Sequence, residues 1–130
     1  MLQSTATIAE EQSVKDVISS YLKGLRSADK SLLKAIFADN ANIMHLALAD
    51  EKFAISSMPE FLELVDKLHA DFGQVEEFHG EAVIAVSGPV ASVHVPFTIK
   101  LGTSEYSGTD VFSLARISGG WKIVNKLYSM

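Results

Sequence analysis

Residues 107–130 read SGTDVFSLARISGGWKIVNKLYSM, and the fold turns on how this stretch is read. Apolar and polar side chains alternate on both sides of Ser118-Gly119-Gly120, the pattern of two extended segments joined by a tight turn. Side chains two apart share a face of a strand, so Asp110 points the same way as Phe112 and Leu114. An unpaired carboxylate in that company is costly. Asp110 is therefore at a wet sheet edge, hydrogen-bonded, protonated or part of a site. The opposite face of the same strand carries Val111, Ala115 and Ile117, so the strand is apolar on both sides. If helices cover one face of the sheet, the other needs a cover as well, and a second subunit is the economical one.

Moving toward the N-terminus, the period of 2 persists back to Phe78 and predicts strands at 77–86, 91–101, 105–117 and 121–128. Ser87-Gly88-Pro89 and Gly102-Thr103-Ser104 are short enough for hairpins. The second strand alternates most cleanly: Ala91, Val93, Val95, Phe97, Ile99 and Leu101 on one face, Ser92, His94, Pro96, Thr98 and Lys100 on the other. Before Phe78 the period is helical. Thr7-Ile8-Ala9-Glu10 has capping-box spacing, and Val14, Val17, Ile18, Tyr21, Leu22 and Leu25 form one buried stripe. Asp29 is positioned to cap a second helix carrying Leu32, Leu33, Ile36 and Phe37. The run Ile43 to Leu48 reads as a short strand. Ser57-Met58-Pro59-Glu60 is another capping box, with Pro in the first turn where its missing amide hydrogen costs nothing. The helix it opens presents Phe61, Leu62, Val65, Leu68 and Phe72 and stops at Gly73. The expected architecture is α+β, with three N-terminal helices packed on one face of a curled, mainly antiparallel sheet.

The 130 residues suit a single domain over 1–130, with 1–9 as a loose N-terminal arm. Apolar residues make up 48% of the chain, generous for a monomer and a second pointer to a homodimer through the sheet face. There is no cysteine, which excludes disulfides and thiolate chemistry. A net charge of −5 without a basic cluster argues against nucleic acid. No stretch approaches the roughly 20 apolar residues of a membrane span, and the N-terminus has no signal-peptide pattern, so the expected location is cytoplasmic. Neither a metal-site spacing such as His-x-x-x-His, nor a Gly-rich phosphate loop, nor Gly-x-Ser-x-Gly is present, so no metal and no cofactor are expected.

The order of helices and strands, the segment YLKGLRSADKSLLKAIFADNANI (21–43) and the closing TDVFSLARISGGWKIVNKLY (109–128) resemble the nuclear transport factor 2-like superfamily. The resemblance covers about residues 10–128 and is nearest the SnoaL-like branch and the branch called putative lumazine-binding. It implies a cystatin-like cone with a pocket, on a fold that hosts isomerases, dehydratases, cyclases and association domains. Steroid Δ-isomerases within it allow a residue-by-residue comparison. A gapless overlay puts Tyr21 on that family's oxyanion-hole Tyr and His45 on its general base, where the family has Asp. Asp110 falls on the late-strand acid that stays protonated and donates a hydrogen bond. A His at this position can still take a proton at neutral pH.

The catalytic candidates are accordingly His45, Tyr21 and Asp110. The expected ligand-binding set is Tyr21, His45, Phe97, Asp110, Phe112, Lys126 and Tyr128. Each has a plainer reading. Tyr21 is also a core Tyr whose hydroxyl needs a partner, and Asp110 is a candidate for it. Burial would raise the Asp110 pKa. His45 and His69 also read as packing residues, His79 and His94 as surface or interface residues, and Lys126 as a solvated edge lysine. The leading functional expectation is a homodimeric cone that holds a small apolar or aromatic molecule. The second is a cofactor-independent acid–base enzyme (isomerase, dehydratase or cyclase) with His45 as base. The third is a protein-association module whose pocket has closed. A pocket filled by its own side chains favours the third; an open one with the three candidates converging favours the second.

Overall fold

The computed structural model describes residues 5–130. Helix α1 (Thr5–Ser27) places Val14, Ile18, Tyr21 and Leu25 in the core. The helix already includes Thr5, so Thr7 lies inside it and not at its cap, and 5–9 are helix instead of arm. Met1 to Ser4 of the expected arm lie outside the described residues. The Glu10 carboxylate serves the sheet instead, accepting from Arg116 Nη1 at 2.8 Å and from Trp121 Nε1. Asp29 caps α2 (Lys30–Ile36) as expected, its side chain accepting from the Leu32 amide at 3.0 Å.

The chain passes directly from α2 into β1 (Phe37–Leu46), which starts earlier than the apolar run suggested. A second strand, β2 (Phe53–Ser57), folds back on β1 and was not expected. It is exposed along nearly its whole length, so it lacks the alternation that announces a half-buried strand. Ser57 then caps α3 (Met58–Phe72): the Glu60 amide donates to Ser57 Oγ at 3.3 Å and the Ser57 amide donates to Glu60 Oε1 at 2.9 Å. Gly73, at φ 76°, ends the helix in a conformation that suits glycine.

The strand expected at 77–86 is two strands, β3 (Val75–His79) and β4 (Val83–Ser87). Both lie along the same edge of β5 (Val90–Leu101), β3 on its C-terminal part and β4 on its N-terminal part. The break falls where the Gly80 amide donates to the Pro96 carbonyl at 2.9 Å. A Cβ on Gly80 would lie 2.9 Å from the Pro96 ring. Strands β6 (Ser104–Ile117) and β7 (Gly120–Ser129) complete a seven-stranded sheet of order β2-β1-β7-β6-β5-β3, with β4 also on β5. Every pairing is antiparallel except β1 with β7. The inner faces of β5, β6 and β7 supply Val93, Val95, Phe112, Leu114 and Ile123 to the core beneath the helices. This is the α+β arrangement expected. Among the described residues no helix is long and apolar enough to cross a membrane.

Candidate ligand-binding site

The helices do not fill the concave side of the sheet. A cavity of about 270 Å³ remains, bounded by α1 (Tyr21, Leu25), α3 (Phe61, Leu64, Val65, Leu68) and β5 (Phe97, Ile99, Leu101). These walls are apolar apart from the Tyr21 hydroxyl. The polar lining comes from His45 on β1, Glu77 on β3, and Lys126 and Tyr128 on β7. Strand phase explains why they meet: His45 pairs with Tyr128 across β1–β7, and Tyr128 pairs with Asp110 across β7–β6, so all three share the inner face.

Below the cavity the inner face carries a cluster of charges. Asp110 is 0% exposed, Glu77 6% and Lys126 5%. His79 Nε2 lies 2.7 Å from Glu77 Oε2 and 3.2 Å from Asp110 Oδ2, and Lys126 Nζ lies 3.7 Å from Asp110 Oδ1. The Asp110 contacts are ionic and lack hydrogen-bond alignment. Tyr21 donates from its hydroxyl to Glu77 Oε1 at 3.3 Å. The Lys126 ammonium also sits 4.1 Å from the centre of the Tyr128 ring and 5.2 Å from that of Tyr21. Two carboxylates thus face two cations, which is how buried charge is tolerated.

The protonation states follow from this balance. Burial alone would raise the Asp110 carboxyl, but the Lys126 ammonium and the His79 ring outweigh it and hold the group below its ordinary value. Glu77 goes the other way: burial raises it and is only partly offset by His79 and Lys126. Burial would lower His79, yet its contacts with Asp110 and Glu77 carry it up to about 9. Lys126 is likewise depressed by burial but raised on balance by Tyr21, Asp110 and Glu77. Tyr21 is pushed well above its ordinary value, by burial first and the Glu77 charge second.

Among the expected site residues, Tyr21, His45, Phe97, Lys126 and Tyr128 line the cavity. Asp110 and Phe112 do not; both are sealed in the layer beneath. The expectation that Asp110 is raised and neutral is corrected, because two neighbouring cations outweigh its desolvation. Lys126 is not a solvated edge lysine, since its inward phase on β7 buries it. His79 is not a surface residue: it ends β3 with its side chain 9% exposed, between two acids. His94 is exposed as expected. His69 Nε2 lies 2.8 Å from the Leu25 carbonyl, a contact that ties α3 to α1. His45 stacks on Tyr128 with ring centres 4.3 Å apart and planes 8° apart, and its Nε2 is buried without a partner.

Glu77 was missed altogether. Its signal was its phase with Val75 and His79, legible only once Val75 is known to begin the strand. Donor atoms of Glu77, His79 and Asp110 lie within 4.8 Å of one another, a convergence that linear spacing cannot reveal. Lys126 and the protonated His79 already balance both carboxylates.

The profile of a family described as "Putative lumazine-binding" matches residues 9–129, nearly the whole chain. The chain belongs to this family. Its fold is that of the nuclear transport factor 2-like superfamily, and solved structures similar to this family member agree. One is a nuclear transport factor 2-like protein of unknown function from Shewanella baltica OS155, at 20% identity over 98% of this chain and 96% of that one, with a TM-score of 0.73. Another is a nuclear transport factor 2-like superfamily protein from Salmonella enterica serovar Typhimurium LT2, at 22% identity over 97% and 92%, with a TM-score of 0.76. A third, from Nostoc punctiforme PCC 73102, is a protein of unknown function with a cystatin-like fold, at 13% identity over 99% and 94%, TM-score 0.75. Comparison with curated protein sequences gives no match.

Proposed function

We propose that this family member holds a small apolar or aromatic molecule in the cone, with one polar group of that molecule against Lys126 and Tyr21. It does so as a homodimer joined through the outer face of the sheet. The observation that carries the reading is the cavity itself: open, walled by aliphatic and aromatic side chains, with its few polar groups in contact with one another, Tyr21 with Glu77, Lys126 with Tyr21 and Tyr128, and Tyr128 with His45. That combination is the common form of a small-molecule site. A flat bicyclic ring suits it, which accords with the family's description. Isothermal titration with 2-naphthoate and with lumazine tests the reading. Binding of either, abolished by Leu68→Trp in a protein that still melts cooperatively, supports it. Failure of both to bind overturns it.

A second reading, cofactor-independent acid–base catalysis, draws support from His45. Its Nε2 is buried, unpartnered and on the same cavity as Tyr21. In this version His45 takes a proton from carbon, and the Tyr21 hydroxyl turns its one hydrogen from Glu77 to the developing oxyanion. Asp110 has no part as a donor there. Deuterium exchange at the α-carbon of 2-tetralone, followed by NMR, tests it: the wild type should accelerate exchange and His45→Ala should not. An association module with a closed pocket has less support, because the cavity is open.

A further inference from the structure

The charged cluster also bears on the ionic form of the ligand. In the free protein Glu77 and Asp110 are matched by His79 and Lys126, so the buried group is close to neutral overall. Only two of the four, Glu77 and Lys126, line the cavity. A ligand group that reaches Lys126 therefore also approaches Glu77, whose Oε1 accepts from the adjacent Tyr21 hydroxyl.

We propose that the cavity takes its ligand as an anion, and that seating the anion draws one proton from solvent onto Glu77. This rests on the ligand-binding reading above. An anion beside Lys126 adds a negative charge to a balanced, buried set, and like charges at short range in a low dielectric are strongly unfavourable. Protonating one carboxylate restores the balance. Asp110 is the wrong candidate, being off the cavity and held ionised by Lys126 and His79. Glu77 is on the cavity, and burial has already raised its affinity for a proton. The groups around it are Tyr21 from α1, His45 from β1, His79 on its own strand, Asp110 from β6, and Lys126 and Tyr128 from β7. Helix α3 and strand β5 present apolar side chains to the cavity. Among the described residues no further carboxylate lines the cavity to compete for the proton. His79 also borders two surface grooves, one with Pro96 and Gly108 and one with Lys15 and Ser19. The cluster thus keeps a route to water after a ligand has filled the cavity.

The experiment is titration calorimetry of 2-naphthoate at about pH 8 in buffers of different ionisation enthalpy, whose slope counts protons. The expected result is an uptake of about one proton per anion bound, with affinity falling about tenfold per pH unit above the free-state pKa of Glu77. The neutral isostere 2-naphthamide should bind with no uptake. Glu77→Gln, fixed in the neutral form, should bind the anion without uptake and with a flat pH profile. If that variant fails to fold, the two ligands on the wild type carry the same test. Binding of 2-naphthoate with identical enthalpy in all buffers overturns the proposal and leaves the ligand-binding reading intact. So does tighter binding of the amide than of the anion, and uptake that persists in Glu77→Gln shows the proton lands elsewhere. Failure of both naphthalene ligands and lumazine to bind overturns the ligand-binding reading and this proposal with it.

Discussion

At the scale of single residues, the buried ion cluster predicts how stability varies with pH. The folded-state pKa of His79 is raised from 6.5 to about 9, so its contribution is complete below 6.5 and is lost as pH rises toward 9. Urea denaturation across that interval should show stability falling, and His79→Gln should flatten the fall. An unchanged slope in the variant would mean that another group titrates. Asp110 has the opposite sign. Its lowered pKa stabilises above the ordinary carboxylate range and is lost in acid. Asp110→Asn should cost about 3 kcal/mol near neutral pH by leaving Lys126 and His79 undercompensated, and Asp110→Leu should cost more. Two equal losses would show that charge, not the remaining amide oxygen, is all that counts there. The sequence made Asp110, Tyr21 and His45 legible because each stands out against an apolar stripe. It did not show Glu77 or His79, whose burial depends on β3 pairing with the inward-facing Ile99 and Phe97 of β5. That pairing is a long-range property with no local signature. Nor does a single strand show that two cations converge on Asp110, which is why its pKa was expected to move the wrong way.

At the scale of elements, local chemistry read well and exposure read poorly. The α3 capping box needs only four residues, and Ser57→Ala should destabilise by about 1 kcal/mol, lowering the melting temperature by a few degrees. A neutral substitution would mean that packing alone sets the start of α3. The helical stripes of α1 and α3 and the alternation of β5 likewise appear in sequence because each buries one face. Strand β2 buries almost nothing, so no apolar period marks it. The division between β3 and β4 arises where Gly80 meets Pro96, sixteen residues further along the chain, and is visible only in pairing. Gly108 is a further case of hidden contact. A Cβ there would lie 1.9 Å from the Ser129 carbonyl oxygen and 2.9 Å from the Phe97 ring. Gly108→Ala should therefore displace β6 from β7 or push Phe97 into the cavity it lines, costing about 2 kcal/mol and weakening 2-naphthoate binding. A fully stable variant with normal binding would contradict that close approach.

At the scale of the whole molecule, the open question is what covers the outer face of the sheet. The inward phase of His45, Lys126, Tyr128, Asp110 and Phe112 sends Met44, Leu127 and Val111 outward. Register aligns these into a row: Ile55 pairs with Met44, Met44 with Leu127, and Leu127 with Val111, across β2, β1, β7 and β6. Ile55 is 58% exposed and Leu127 38%, an apolar band across four strands with no charged side chain in it. A cross-sheet band of this kind is costly to leave in water and self-complementary under a two-fold axis, which is the usual geometry of small oligomers. The expected assembly is a homodimer, and sedimentation at micromolar concentration should give about twice the 14.1 kDa chain mass. Leu127→Asp puts a carboxylate into the band of each protomer, where burial in an interface leaves it unpaired, and should shift the protein to the monomer mass. Because Leu127 does not line the cavity, the monomeric variant should still bind 2-naphthoate if the site lies wholly within one chain. A wild-type protein that sediments as a monomer with this band exposed would remove the dimer from the proposed function and leave the cavity as its only supported feature.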